Sequence, residues 1–130
     1  MMIKKNKKIL YTIGFTSTTA ENFFKRLKEN NISKLIDIRL NNKSQLSGFA
    51  KKDDIKFFLK EILKIKYIHV PKFAPSDEIL KSYRNKEIDW ETYEKLYFKL
   101  IINRKVEKIL SLRKLNKSCL LCSESQETYC

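Results

Sequence analysis

The chain predicts an α/β fold: a three-layer, open, mostly parallel sheet with helices on both faces. Three observations carry this. Four short runs rich in β-branched, aromatic and aliphatic residues, at Ile9–Ile13, Leu35–Ile38, Tyr67–Val70 and Cys119–Ser123, read as strands. The segments between them carry apolar residues three and four apart, the period of an amphipathic helix. The resulting order, β-α-β-α-β-α-α-β, needs crossover connections, and crossovers make a parallel sheet covered on both sides. The 130 residues suit a single domain, 1–130, with one core.

Each element has a local reason. Ile9-Leu10-Tyr11-Thr12-Ile13 is a buried strand closed by Gly14. Thr18 with Glu21 three residues on predicts a capping box and a helix whose apolar face is Phe23, Phe24 and Leu27. Asn30-Asn31 ends it. The second strand runs to Arg39, and Asn41–Ala50 reads as a loop. Asp53 or Asp54 is expected to cap the next helix, with Ile55, Phe58, Leu59, Ile62 and Leu63 on one face and Lys56, Lys60 and Lys64 on a solvated one. Pro71 stops the third strand. Pro75 and Ser76 open a short helix bearing Ile79, Leu80 and Tyr83. Trp90, Tyr93, Tyr97 and Leu100 mark a long helix, extended through Ile101, Ile109 and Leu110 or broken near Asn103; its aromatic spacing reads as packing rather than as a base-stacking platform. The helix that would cover the last strand is missing from the sequence.

The net charge is +13, with 28 Lys and Arg against 15 acids. Such a balance favours a polyanionic partner, a nucleic acid or an anionic small molecule. Only five of the 28 are Arg, and the wealth of Lys, Ile and Asn is also what AT-rich codons specify. Three cysteines without a secretory signal indicate a reducing compartment, and no apolar run approaches the length of a membrane span. A cytoplasmic protein with no membrane partner is expected.

Functional residue types gather where an open parallel sheet binds ligands, beyond the carboxyl ends of its strands. Gly14 follows the first strand and suits a tight turn or a close approach of the backbone to a ligand. Asp37 and Arg39 close the second strand; two apart in extended chain, they face the same side, as an anion site or a structural ion pair. His69, the only histidine, closes the third strand as a candidate proton carrier or a hydrogen-bonded structural residue. Cys122 and Glu124 close the fourth. No Gly-rich phosphate loop exists. Cys119 and Cys122 have the spacing of a zinc or redox pair, but residues three apart on a strand face opposite sides. Neither a metal nor a cofactor is expected. A phosphatase loop would need an arginine six residues after Cys122, where Thr128 stands.

These landmarks together resemble the uncharacterised DUF488 family. Thr12-Ile13-Gly14 is similar to its opening Thr-Ile-Gly, and Leu35-Ile36-Asp37-Ile38-Arg39 to its Asp-x-Arg strand end, with Phe49 as in the following Gly-Phe. Tyr67-Ile68-His69-Val70-Pro71 resembles Tyr-x-His-x-Pro; Phe73-Ala74-Pro75-Ser76 and Trp90-x-x-Tyr93-x-x-x-Tyr97 resemble the segments after it. Leu120-Leu121-Cys122-Ser123-Glu124 with Cys130 resembles Leu-Leu-Cys-x-Glu and the cysteine beyond. The resemblance implies a three-layer α/β fold and a strand-edge site of Asp37, Arg39, His69, Cys122, Glu124 and Cys130, and no established activity. Two departures stand out. Phe15 occupies a position where the family commonly has His, and the sequence stops at Cys130, inside the family's Cys-His-Arg motif, as if truncated.

The expected function is a small enzyme acting on an anionic substrate, a nucleotide or nucleic acid. His69, Asp37, Cys122 and Glu124 are its candidate catalytic residues; Gly14, Arg39 and Cys130 bind substrate. A non-catalytic nucleic-acid-binding module and an inactive truncated remnant stay open as alternatives.

Overall fold

The computed structural model describes residues 2–5, 8–43, 48–106 and 116–122; of residues 2–5 and 8 it describes the backbone only. A five-stranded sheet with the order β1-β2-β5-β3-β4 organises the chain. Its strands are β1 (Met2–Lys5), β2 (Lys8–Gly14), β3 (Lys34–Asp37), β4 (Lys66–His69) and β5 (Ser118–Cys122). The strands β2, β5, β3 and β4 are mutually parallel, as the crossover argument requires. The last strand in sequence thus takes the centre of the sheet.

Strand β1 is an addition to the expected order. It pairs antiparallel with β2, Ile3 opposite Leu10 and Lys5 opposite Lys8. Its lysine-rich sequence hides the strand signal, because edge strands tolerate the charges that core strands exclude.

Helix α1 (Ala20–Glu29) and helix α2 (Lys52–Phe58) lie against one face of the sheet. Phe23 and Leu27 from α1, with Ile55 from α2 and Leu59 just beyond it, share a core with Ile13, Leu35, Cys119 and Leu121. Phe24 and Phe49 extend it, each with its ring centroid within 6 Å of the Phe23 ring, at 5.1 and 5.3 Å. The α1 cap falls one residue later than the sequence suggests: Thr19 Oγ1 accepts from the Asn22 amide at 3.1 Å. Helix α2 has no side-chain cap at all. Lys51 holds the cap position, and Asp53 and Asp54 occupy the first turn, where their charge suits the positive end of the helix dipole.

After Phe58 the helix widens into a π-turn, Leu59–Leu63. The widened turn breaks the 3.6-residue period, so the expected apolar face does not hold together. Ile55 and Leu59 are buried, Phe58 and Leu63 are half-buried, and Ile62 is 60% exposed.

Helices α3 (Asp77–Arg84) and α4 (Trp90–Arg104) form a hairpin. Ser76 Oγ caps α3 through the Ile79 amide, and Asp89 caps α4 through Thr92. Trp90 and Tyr93 stack at 5.1 Å, and Tyr83 lies 5.0 Å from Tyr93, so the aromatic spacing serves helix packing. Helix α4 ends at Arg104, next to the expected break; Ile109 and Leu110 lie outside the described residues. The crossovers β2-α1-β3 and β3-α2-β4 run in one direction across the sheet and β4-α3-α4-β5 runs back. Right-handed connections therefore place α3 and α4 on the opposite face from α1 and α2. Ile36 points to that second face by strand alternation and is 1% exposed.

Candidate functional site

The strand register brings the predicted residues to one edge. Asp37 of β3 lies directly opposite His69 of β4 and, on its other side, Leu121 of β5. Gly14 of β2 lies opposite Cys122. The chain leaves β3 toward one face and β4 toward the other, so the gap between these neighbours is a topological switch point, the place where open sheets receive ligands.

Asp37 and Arg39 do face the same side, and they bind each other. Arg39 Nε donates to Asp37 Oδ1 at 2.9 Å and Nη2 donates to Oδ2 at 2.8 Å. The Arg39 amide adds a third bond to Oδ1 at 3.1 Å. Tyr67, two residues before His69 and therefore on the same face, donates its hydroxyl to Asp37 Oδ2. Asn42 Nδ2 in turn donates to that hydroxyl at 3.0 Å. Burial pushes the Asp37 carboxyl up, but the hydrogen bonds from Arg39 and Tyr67, with the Arg39 charge, outweigh it and hold the group below its ordinary 3.8. Burial and the neighbouring Asp37 charge push the Tyr67 phenol well above its ordinary value, keeping it a hydrogen-bond donor.

Two features of Arg39 are not explained by this pairing. Its guanidinium carbon sits 5.2 Å from the centre of the Phe15 ring, a cation–π contact. Its third nitrogen, Nη1, is buried and has no hydrogen-bond partner. A buried donor without a partner is uncommon in folded proteins.

His69 Nε2 lies 2.8 Å from the Arg39 carbonyl oxygen. A carbonyl only accepts, so Nε2 carries the proton and Nδ1 is the ring's acceptor in the neutral form. The segment that follows, Pro71–Phe73, is held from α4: Tyr97 donates to the Phe73 carbonyl, and Arg104 Nη1 donates to the carbonyls of Lys72 and Ala74 at 3.0 and 2.7 Å.

Cys119 and Cys122 part company as alternation predicts. Cys119 joins the core at 2% exposure, and Cys122 is half-buried on the face opposite Asp37 and His69. Glu124 and Cys130 lie outside the described residues. Gly14 is extended strand, and no described glycine has a left-handed backbone. Among the described residues no cluster of three or more His, Cys, Asp or Glu could hold a metal ion, and no helix is long and apolar enough to cross a membrane.

Sequence reasoning does not assign Tyr67, Asn42 or Phe15 to the site. The signal for Tyr67 was available: it alternates with His69 on the strand beside Asp37. Asn42 and Phe15 had no local signal, because loop geometry brings them in.

No curated protein and no solved structure matches the chain. The model of DUF488, a domain of unknown function, matches residues 19–130. That span includes the Asp37–Arg39 pair, Tyr67, His69 and the whole of β5, and the chain belongs to the DUF488 family.

Proposed function

We propose that this protein is a small α/β enzyme that binds an anionic substrate at the carboxyl edge of its sheet. Arg39 is the binding residue and His69 the proton carrier. The observation that carries the reading is the buried, unpartnered Nη1 of Arg39, two residues beyond the end of β3. Asp37 engages the other two guanidinium nitrogens, so a ligand meets an arginine whose orientation is already fixed. Asp37 is held as a carboxylate by four donor contacts, which makes it a positioning residue. His69 is anchored through Nε2, which leaves Nδ1 to accept a proton from a bound ligand. Gly14 and Cys122 line the neighbouring β2–β5 edge.

The nucleic-acid-binding alternative draws on the +13 charge. Exposed lysines stand on α1 (Lys25, Lys28), α2 (Lys56), α3 (Lys81) and α4 (Lys95, Lys99) rather than on one helix face. Among the described residues no single helix gathers them.

Calorimetric titration with inorganic phosphate, a nucleoside monophosphate and a dicarboxylate tests the reading. At least one should bind the wild type. Arg39→Lys keeps the charge but loses the planar fork, and should weaken binding by about tenfold or more. His69→Gln should bind and fail to turn over any substrate found. Equal affinity in wild type and Arg39→Lys, or no binding by any of the three, would overturn it.

A further inference from the structure

The turn joining β2 to α1 carries four consecutive hydroxyl residues, Thr16-Ser17-Thr18-Thr19, directly before a ten-residue helix. The Thr19 cap engages the amides of Asn22 and Phe23 through its hydroxyl and its carbonyl. The amides of Ala20 and Glu21 belong to the helix turn that has no internal acceptors, and the positive end of the α1 dipole points the same way. Such a helix start is not a site by itself. Phe15, the residue that opens the turn, is buried under the Arg39 guanidinium, the group with the unpartnered Nη1.

The geometry points to a phosphate ester as the anion, seated between Arg39 Nη1 and the Thr16–Glu21 turn. This inference rests on the anion-binding reading above. The choice of phosphate over carboxylate follows from what Arg39 still offers. Its Nε–Nη2 edge, which would meet a carboxylate in parallel, is occupied by Asp37. Both Nη1 hydrogens and the outer hydrogen of Nη2 remain. A planar carboxylate gripped end-on by Nη1 and Nη2 would have no oxygen left for the turn. A tetrahedral phosphate can place one oxygen on Nη1 and direct the others to helix amides and hydroxyls. Thr16, Ser17 and Thr19 are exposed, whereas the Arg39 side chain is 4% exposed, so the group would reach Nη1 from the side of the turn. Glu21, exposed in the first turn of α1, opposes the anion.

The test is a titration of the ¹⁵N-labelled protein with inorganic phosphate, against acetate at equal ionic strength. Saturable shifts are expected at the amides of residues 16–21 and at Arg39 Nε, with phosphate bound about tenfold or more tighter than acetate. The surface variant Glu21→Gln removes the opposing charge near the helix start and should bind phosphate about two- to fivefold tighter. If Arg39 Nε responds while the turn amides stay still, the phosphate seat is wrong and the anion-binding reading survives. If acetate matches phosphate, or Glu21→Gln leaves affinity unchanged, the phosphate seat is again overturned. If neither Arg39 nor the turn responds to phosphate, and the nucleoside monophosphate and dicarboxylate also leave Arg39 unmoved, both readings fail.

Discussion

Asp37 and Arg39 hold each other in place before any ligand arrives. Both are buried, and removing one partner of such a pair leaves an uncompensated charge in the interior. Asp37→Asn is therefore expected to lower stability at neutral pH by about 3–5 kcal/mol. The pH dependence has a definite sign. The folded-state carboxyl is held below its ordinary 3.8, so the stability it contributes is complete above that value and is lost as pH falls through the depressed one. Urea unfolding between pH 7 and pH 2 should show a flatter acid limb in Asp37→Asn than in the wild type. Identical slopes would mean that Asp37 is not the titrating contributor. The Tyr67 hydroxyl supplies one of the donors that keep Asp37 ionised.

At the scale of elements, the chain makes its turns with hardly any glycine. Two glycines serve 130 residues, and neither has a left-handed backbone where described. Lysine fills that role instead. Lys64 ends the π-turn at φ 57°, Lys105 ends α4 at φ 54°, and Lys117 leads into β5 at φ 58°. An L-residue pays about 1–2 kcal/mol in this conformation, part of which glycine gives back through its freer unfolded chain. Lys64→Gly, Lys105→Gly and Lys117→Gly should each raise stability by about 0.5–1 kcal/mol, read as an increase in the urea midpoint without a change in slope. A lowered midpoint would show that the lysine side chains contribute more than the backbone strain they impose. The element boundaries teach a related lesson. The positions of α1, α3 and α4 were legible within a residue or two because their caps and apolar periods agree. The face of the second helix was misread because nothing in Ile55–Leu63 announces the π-turn that rotates Ile62 outward.

Across the sheet, β1 is expected to protect an edge. It occupies the outer edge of β2 and presents a lysine-bearing strand in its place. Deleting residues 1–7 should expose the unpaired β2 backbone, and an exposed edge invites pairing with another chain. Light scattering after gel filtration is expected to show concentration-dependent association in the deletion that the intact protein lacks. A monodisperse deletion with unchanged stability would argue that β1 is dispensable.

The α/β class, the four parallel strands, the core face of α1 and the family are all legible in the order of the amino acids. These follow from short-range pattern: the period of the apolar residues, capping side chains, and motifs carried within single segments. It also placed Asp37, Arg39 and His69 at strand ends and separated Cys119 from Cys122, because side-chain alternation is a local property. How those residues act on one another follows from the assembled fold. The Asp-x-Arg spacing fitted an anion site and an ion pair equally well. The fold closes the ion pair with two guanidinium nitrogens and leaves the third buried without a partner. Tyr67 reaches the pair from the neighbouring β4 and Asn42 from the loop after β3, whereas the approach of Phe15 from β2 depends on β5 entering the sheet between β2 and β3. That insertion is a long-range event, and no residue pattern within a single segment encodes it.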